Sequence, residues 1–300
     1  MLCIFNFHYV RPLSNFDGMK CYSLEAFQNL IDQLPKNHNT IPIAHNEGLS
    51  SLILSKDRHY MITFDDGLAE QANNCLEFLI EKRILNIYFI PTQPYSDGLT
   101  LPVHLAHYLL SKEDPEELIS IIKEKLEIII DQSLIESSNN RYKYGSVSEK
   151  LFKYIVNYYL EDKKSNTLIN YMVSELYGDT FSNKYSQSLY MKPKALCELS
   201  SKTLIGYHSH SHKDYSRMTN MQVDKDIQQS KKVFQNLNLD SIYHAYPYGT
   251  IDSCPLRLDD LLRNNGIKYA FSTIRDYAIK GTDHLRIPRY DANDFIFRSN

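Results

Sequence analysis

An α/β fold built round a mostly parallel sheet is predicted by three observations. Short apolar, β-branched runs alternate with amphipathic segments toward both ends of the chain, the pattern of strands joined by crossover helices. Two of these runs open directly onto charged or imidazole groups, at Asp65-Asp66-Gly67 and at His208 to His212. In a parallel architecture all strands present their carboxyl ends on one face, so segments distant in sequence meet there.

The elements follow in order. Leu2 to Tyr9 reads as the first strand, and Ser23 is placed to cap a helix through Ile31 whose apolar positions recur at helical spacing. Asn39 to Ile43 is the next expected strand. Tyr60 to Phe64 precedes a helix over Ala69 to Lys82, and Ile84 to Ile90 is a strand closed by Pro91. Further strands are expected at Thr203 to Tyr207, Ile242 to Tyr246, Tyr269 to Ser272 and Leu285 to Pro288, with helices over Asp224 to Leu237 and Pro255 to Asn264.

Residues 100–199 behave differently. They are rich in Glu, Lys, Leu and Ile at helical spacing, as in Ser111 to Ile122, with few strand or turn signals before Tyr144-Gly145. The predicted organisation is a core of residues 1–99 and 200–300 interrupted by a helical insertion, 100–199, that serves as a lid or substrate wall, or equally as a packing or oligomer contact. His104 and His107 within it lie three apart, a spacing that suits a metal on a helix. Without a third ligand nearby, a structural or substrate-contacting role is preferred.

Composition narrows the function class. A chain of 300 residues with 43% hydrophobic content can bury a sizeable core. The formal net charge of −3 gives no general pull toward nucleic acid. The 5 cysteines form no C-x-x-C pair and suit free thiols in a reducing compartment. The first residues read as a strand and not as a leader, and no run is long enough for a membrane span. A cytoplasmic protein is therefore expected. The 23 tyrosines are ambiguous: tyrosine can stack on sugar rings, but half-buried packing is the expected role for most of them.

Asp-Asp-Gly alone is common turn chemistry. Three histidines at alternate positions either point one way from a strand or converge, His208 with His212, from a tight turn. One Asp with two His makes a three-ligand metal site with room for water.

Three segments resemble the polysaccharide deacetylases with a NodB-like domain, carbohydrate esterase family four. Thr63-Phe64-Asp65-Asp66-Gly67 is similar to the first family motif, His208-Ser209-His210-Ser211-His212 to the second and Ala245-Tyr246-Pro247-Tyr248-Gly249 to the third. A further likeness runs through Leu285 to Asp291. The resemblance implies a distorted (β/α) barrel of the NodB-like deacetylase type, carrying the helical insertion. It further implies Asp65 as general base and Asp66, His208 and His212 as metal ligands, with His210 a spacer; His210 paired with His212 stays open as an alternative. The third motif implies Tyr246, Pro247 and Tyr248 at the substrate. Because Pro247 lacks an N–H, Tyr248 supplies the backbone donor for the oxyanion.

Two departures from the family pattern matter. The usual Arg of the third motif, which orients the base, falls at Ala245, and Arg289 is the candidate to fill its place. The usual C-terminal Leu-x-His is absent, and His284 precedes a strand instead of following one. In a permuted branch, which includes deacetylases of poly-N-acetylglucosamine, the acid His lies on the first strand. Ile4 to Tyr9 resembles that segment, which implies His8 as the acid. Asp291 is expected beside His8 at the substrate, provided that the last strand pairs with the first.

The implied activity is metal-dependent removal of an N-acetyl group from an amino sugar. The ion is one divalent metal, Zn2+ first, with Co2+, Ni2+, Fe2+ or Mn2+ fitting the same ligand types. The expected substrate is an N-acetylated sugar, nucleotide-linked, lipid-linked or oligomeric, in surface-polysaccharide or glycan-precursor synthesis. A catalytically silent sugar-binding relative and an amide hydrolase of another class, a deformylase or cyclic-imide hydrolase, are the competing readings.

Overall fold

The structure, a computed structural model, describes residues 1–12, 21–34, 48–142 and 144–296. The strand expected at Asn39 to Ile43 lies outside the described residues. Those described fall into two compact units, one of residues 1–12, 21–98 and 187–296 and the other of residues 99–186.

The first unit is organised by a seven-stranded sheet. Its strands are β1 (Leu2–Phe7), β2 (His59–Phe64), β3 (Leu85–Ile90), β4 (Leu204–Tyr207), β5 (Tyr243–Ala245), β6 (Tyr269–Phe271) and β7 (Tyr290–Asp291), in spatial order β6-β5-β4-β3-β2-β1-β7. Every ladder is parallel, with Phe7 opposite Phe64, Phe64 opposite Tyr88 and Ile90 opposite Tyr207. The sheet curls into a distorted half-barrel.

The strand expected at Leu285 to Pro288 is replaced by a crossing segment. Ile287 bridges Phe271 in parallel, and β7 then pairs with β1 through Phe5 and Asn6. Pro288 has no N–H to extend the first pairing, so the chain leaves β6 there and reaches β1. This segment links the two edges of the sheet.

The period of two along each strand divides the core. Leu2, Ile4, Met61, Ile87, Phe89, Ala245, Phe271 and Ile287 form one buried cluster. Cys3, Phe5, Phe7, Ile62, Phe64, Tyr88 and Ile90 belong to another, which includes Phe27, Ile31, Leu76 and Leu79 from two flanking helices. Phe64 stacks on Tyr88 with ring centroids 4.7 Å apart. Burying an aromatic or branched aliphatic side chain of this size contributes about 1.5–3 kcal/mol. Gly206 allows β4 to approach β3, since a Cβ there would stand 2.6 Å from the Phe89 ring.

The helices start where their caps direct. Ser23 Oγ accepts from the Ala26 N–H at 3.0 Å and opens Leu24–Asp32. The Ala69–Glu81 helix begins one loop after β2. The expected Pro255 to Asn264 helix is a 3-10 turn, Leu256–Leu258, followed by helix Asp259–Asn264.

The second unit is helical. Pro102 and Pro115 open two of its helices, and Ser146 with Glu149 forms a capping box at a third. Leu105, Leu109, Ile122, Phe152, Ile155 and Met172 lie in its core. His104 is fully buried, with its ring centroid 6.1 Å from that of His107. Helix Pro193–Lys202, which falls within the stretch read from sequence as insertion, belongs to the first unit.

Cys3, Cys21, Cys75 and Cys254 are buried thiols and Cys197 an exposed one, none in a disulfide. No helix of the described residues is long and apolar enough to cross a membrane.

Candidate active site

The carboxyl ends of β1, β2, β4 and β5 lead into His8, Asp65-Asp66, His208 and Tyr246. Period two places Asn6, Thr63 and Asp65 on one face, and all three are buried. Arg289 reaches the same point from the crossing segment.

The Arg289 guanidinium meets Asp65 as a two-pronged fork, Nη1 to Oδ1 at 2.8 Å and Nη2 to Oδ2 at 2.9 Å. Arg289 is wholly buried and donates further to Asn6 Oδ1, Thr63 Oγ1 and the Ser272 carbonyl. Asn6 Nδ2 donates to Asp65 Oδ2 at 2.9 Å. Burial opposes the charge on Asp65, but the Arg289 guanidinium overcomes it, assisted by His208 and His8, and holds the carboxyl down at about 2. Asp65 thus has a cation that comes from the crossing segment and not from the third motif, where Ala245 stands.

Asp66 Oδ1 lies 3.5 Å from His208 Nε2 and 3.2 Å from His212 Nε2. His208 Nδ1 is 2.9 Å from the Ala245 carbonyl, which fixes that nitrogen as the N–H and turns the Nε2 lone pair toward Asp66. Burial pushes His208 down to about 4, so the ring is neutral at neutral pH. His212 is pushed down by burial, yet the hydrogen bond and charge of Asp66 prevail and raise it.

Asp66, Ser209, His212 and Tyr248 all have φ between 54 and 79°. Left-handed backbone at residues with a Cβ costs about 1–2 kcal/mol each, and its concentration here marks a site held in shape by its surroundings. Asp226, buried on the Asn220–Asn236 helix, provides much of that support. Its carboxylate accepts from the His210 N–H at 2.7 Å, the Ser211 N–H at 3.0 Å, the Ser211 hydroxyl at 2.6 Å and the Tyr215 hydroxyl at 3.0 Å. The turn after β3 holds the other side, with Thr92 and Gln93 N–H groups donating to the Ser209 and His210 carbonyls.

Asp66, His208 and His212 are the one group of three potential ligands among the described residues, their donor atoms all within 4.8 Å of one another. Zinc bonds of about 2.0–2.1 Å at tetrahedral angles put ligand atoms about 3.3 Å apart, close to the 3.5 and 3.2 Å from Asp66 Oδ1 to the two imidazoles, which suits a divalent cation. Asp226→Asn, which replaces an all-acceptor group with one bearing donors, is expected to weaken zinc binding about 10–100-fold, as measured by competition with a chromogenic chelator. His210 is not brought to the cluster; its Nδ1 lies 3.0 Å from Thr92 Oγ1.

His8 Nε2 stands 3.9 Å from Asp65 Oδ2, and the side chain is 34% exposed. The Tyr248 ring centroid is 5.6 Å from that of His212, and the Tyr248 carbonyl accepts from Thr273 Oγ1 at 2.9 Å. The Pro247 carbonyl accepts from the Gly249 N–H at 2.7 Å. Of the expected substrate contacts, Tyr246 needs correction and Asp291 has a further partner. Tyr246 is fully buried and its hydroxyl donates to the Leu285 carbonyl at 3.0 Å, so it braces the wall behind the loop. Asp291 lies beside β1, opposite Asn6, but its carboxylate accepts from the Asn293 N–H at 2.9 Å and caps the final turn.

Sequence reasoning missed Asn6, Gln71 and Asp226. A polar residue inside the apolar run Leu2–Phe7 is a signal for the first. Gln71 sits three residues after Leu68, where a capping side chain belongs. Nothing local distinguishes Asp226 from a helix-surface carboxylate.

Residues 186–270 match the family model for polysaccharide deacetylase, a span holding the second and third motifs but not the first. No curated protein matches the chain in sequence. Among solved structures, IcaB from Ammonifex degensii is 13% identical with a TM-score of 0.52, over 97% of this chain and 91% of that one. The Streptococcus pyogenes deacetylase PplD, in complex with acetate, is 11% identical with a TM-score of 0.54, over 97% and 90%. A de-N-acetylase from Aggregatibacter actinomycetemcomitans is 11% identical with a TM-score of 0.51, over 96% and 94%. At these identities the likeness is one of fold. Residues 186–270 are thus similar to the polysaccharide deacetylase family, and the chain has the NodB-like (β/α) barrel fold that these structures share.

Proposed function

We propose that this protein hydrolyses the N-acetyl group of an amino sugar, with Asp66, His208 and His212 holding a divalent cation, zinc first among candidates. The observation that carries the reading is the adjacency of two unlike carboxylates. Asp65 is locked to Arg289, while Asp66 faces two imidazoles. That division suits one proton acceptor and one ligand, and the likeness of residues 186–270 to the polysaccharide deacetylase family supports the reaction class.

A zinc ion at the cluster would polarise the acetyl carbonyl and lower the pKa of water from 15.7 toward 7. Asp65 takes the proton as water oxygen adds to the acetyl carbon. Arg289 keeps the carboxylate ionised and aimed, and the Tyr248 N–H is assigned to the developing oxyanion. His8 delivers a proton to nitrogen as the C–N bond breaks, leaving acetate and a free amino sugar. An activated or lipid-linked precursor in a cytoplasmic setting is the favoured substrate, a choice supported by the free thiols.

The test is metal content by elemental mass spectrometry, paired with acetate release from N-acetylated nucleotide sugars and chitooligosaccharides. About one metal per chain is expected in the wild type, lost together with turnover in Asp66→Ala. Metal without acetate on any substrate would turn the reading to a silent binder or, if formate or a ring-opened acid forms, to another amide hydrolase. No metal would overturn the cluster assignment.

A further inference from the structure

Gln71 is wholly buried in the first turn of the Ala69–Glu81 helix. Its Oε1 accepts from the Leu68 N–H at 3.0 Å. Its Nε2 donates twice, to the Asp65 carbonyl at 2.6 Å and to the His8 carbonyl at 2.8 Å. The amide thus uses both N–H groups and its oxygen. The two carbonyls belong to the residues that follow β2 and β1, just beyond the Phe7–Phe64 pair where the ladder of those strands ends. The Asp65 N–H still donates to the Phe7 carbonyl at 3.0 Å, and the Gln71 side chain acts as one more rung beyond that last backbone bond.

The same helix holds the rest of the segment after β1. Glu70 Oε1 accepts from the Val10 N–H at 3.0 Å and from Arg11 Nε at 2.7 Å, and Asn74 Nδ2 donates to the Val10 carbonyl at 2.9 Å. The His8 and Asp65 side chains, 3.9 Å apart, are beyond hydrogen-bond reach of each other. No bond between the two side chains sets their spacing; Asp65 is held by Arg289 and Asn6, and His8 is placed against it by the backbone of the segment after β1.

We propose that Gln71 is a positioning residue that sets the distance between His8 and Asp65, and through it the rate of the proton transfers. The proposal rests on the acid and base roles given above. Gln71→Glu keeps the acceptor for Leu68 and puts a carboxylate where the helix N-terminus favours one, but removes both donors. Gln71→Met removes all three bonds.

In both variants kcat is expected to fall about 10–100-fold, with KM within about twofold and metal content unchanged, because a misplacement of about 1 Å costs this much. Wild-type kcat in Gln71→Glu with lowered stability in Gln71→Met would overturn the proposal and reduce Gln71 to a helix cap. Crystal structures of the two variants provide a readout independent of turnover. A His8–Asp65 separation that changes supports the proposal, and one that stays the same sinks it, even if Gln71→Met fails to fold and only Gln71→Glu is obtained. A wild type without acetate release would instead count against the deacetylase reading.

Discussion

Asp65→Asn is expected to lower acetate release about 10²–10⁴-fold while leaving about one metal per chain. An amide has the size of the carboxylate but takes no proton at neutral pH. The cluster should survive because Asp66, not Asp65, faces His208 and His212. Elemental analysis and acetate release on one preparation decide the matter. Turnover at the wild-type level would remove Asp65 from the mechanism, and loss of metal with activity would show that the adjacent carboxylates share a single ligand role.

Arg289→Leu should have the largest effect on stability. It strips a buried carboxylate of its counter-charge and leaves Asn6 Oδ1, Thr63 Oγ1 and the Ser272 carbonyl without this donor. Breaking a buried pair from one side costs about 3–5 kcal/mol, measurable as a lower Tm and denaturant midpoint. The pH dependence has a defined sign. In the wild type the Asp65 carboxyl sits at about 2 in the folded protein against an ordinary 3.8. Its contribution of about 2 kcal/mol is complete above the ordinary value and lost as pH falls through 2. Removing Arg289 raises the folded value, so the acid limb between pH 4 and 2 should flatten. An unchanged limb, read by acid titration with circular dichroism, would mean that Arg289 does not hold the charge.

The site was legible where chemistry follows a strand end. Thr63 to Gly67 and His208 to His212 announce themselves because apolar alternation stops and polar groups begin at the point where a parallel sheet delivers its strands. The barrel was legible for the same reason, since strand and helix periods differ. What the sequence could not display are the partners that fix those groups. The Ala245 carbonyl orients His208, Asp226 holds the loop between the two histidines, and Gln71 ties two loop carbonyls. Each acts through a bond to a remote segment, and neither a carbonyl nor a helix-borne Asp advertises its acceptor role. Tyr246 shows the converse: its place in a motif suggested contact with substrate, whereas burial in the wall decided its use.

The crossing segment that carries Arg289 bears on how the protein comes to be active. Asp65 and the cation that neutralises it are 224 positions apart, and the arginine arrives only when the last stretch lies between β6 and β1. Loop closure over such a distance is slow, and parallel pairing offers little local compensation along the way. An intermediate with β1 to β3 already assembled would therefore hold a bare carboxylate in a half-made core. The ionised Asp65 becomes tolerable only once the sheet edges are joined, so the counter-charge of this carboxylate and the closure of the sheet depend on the same segment.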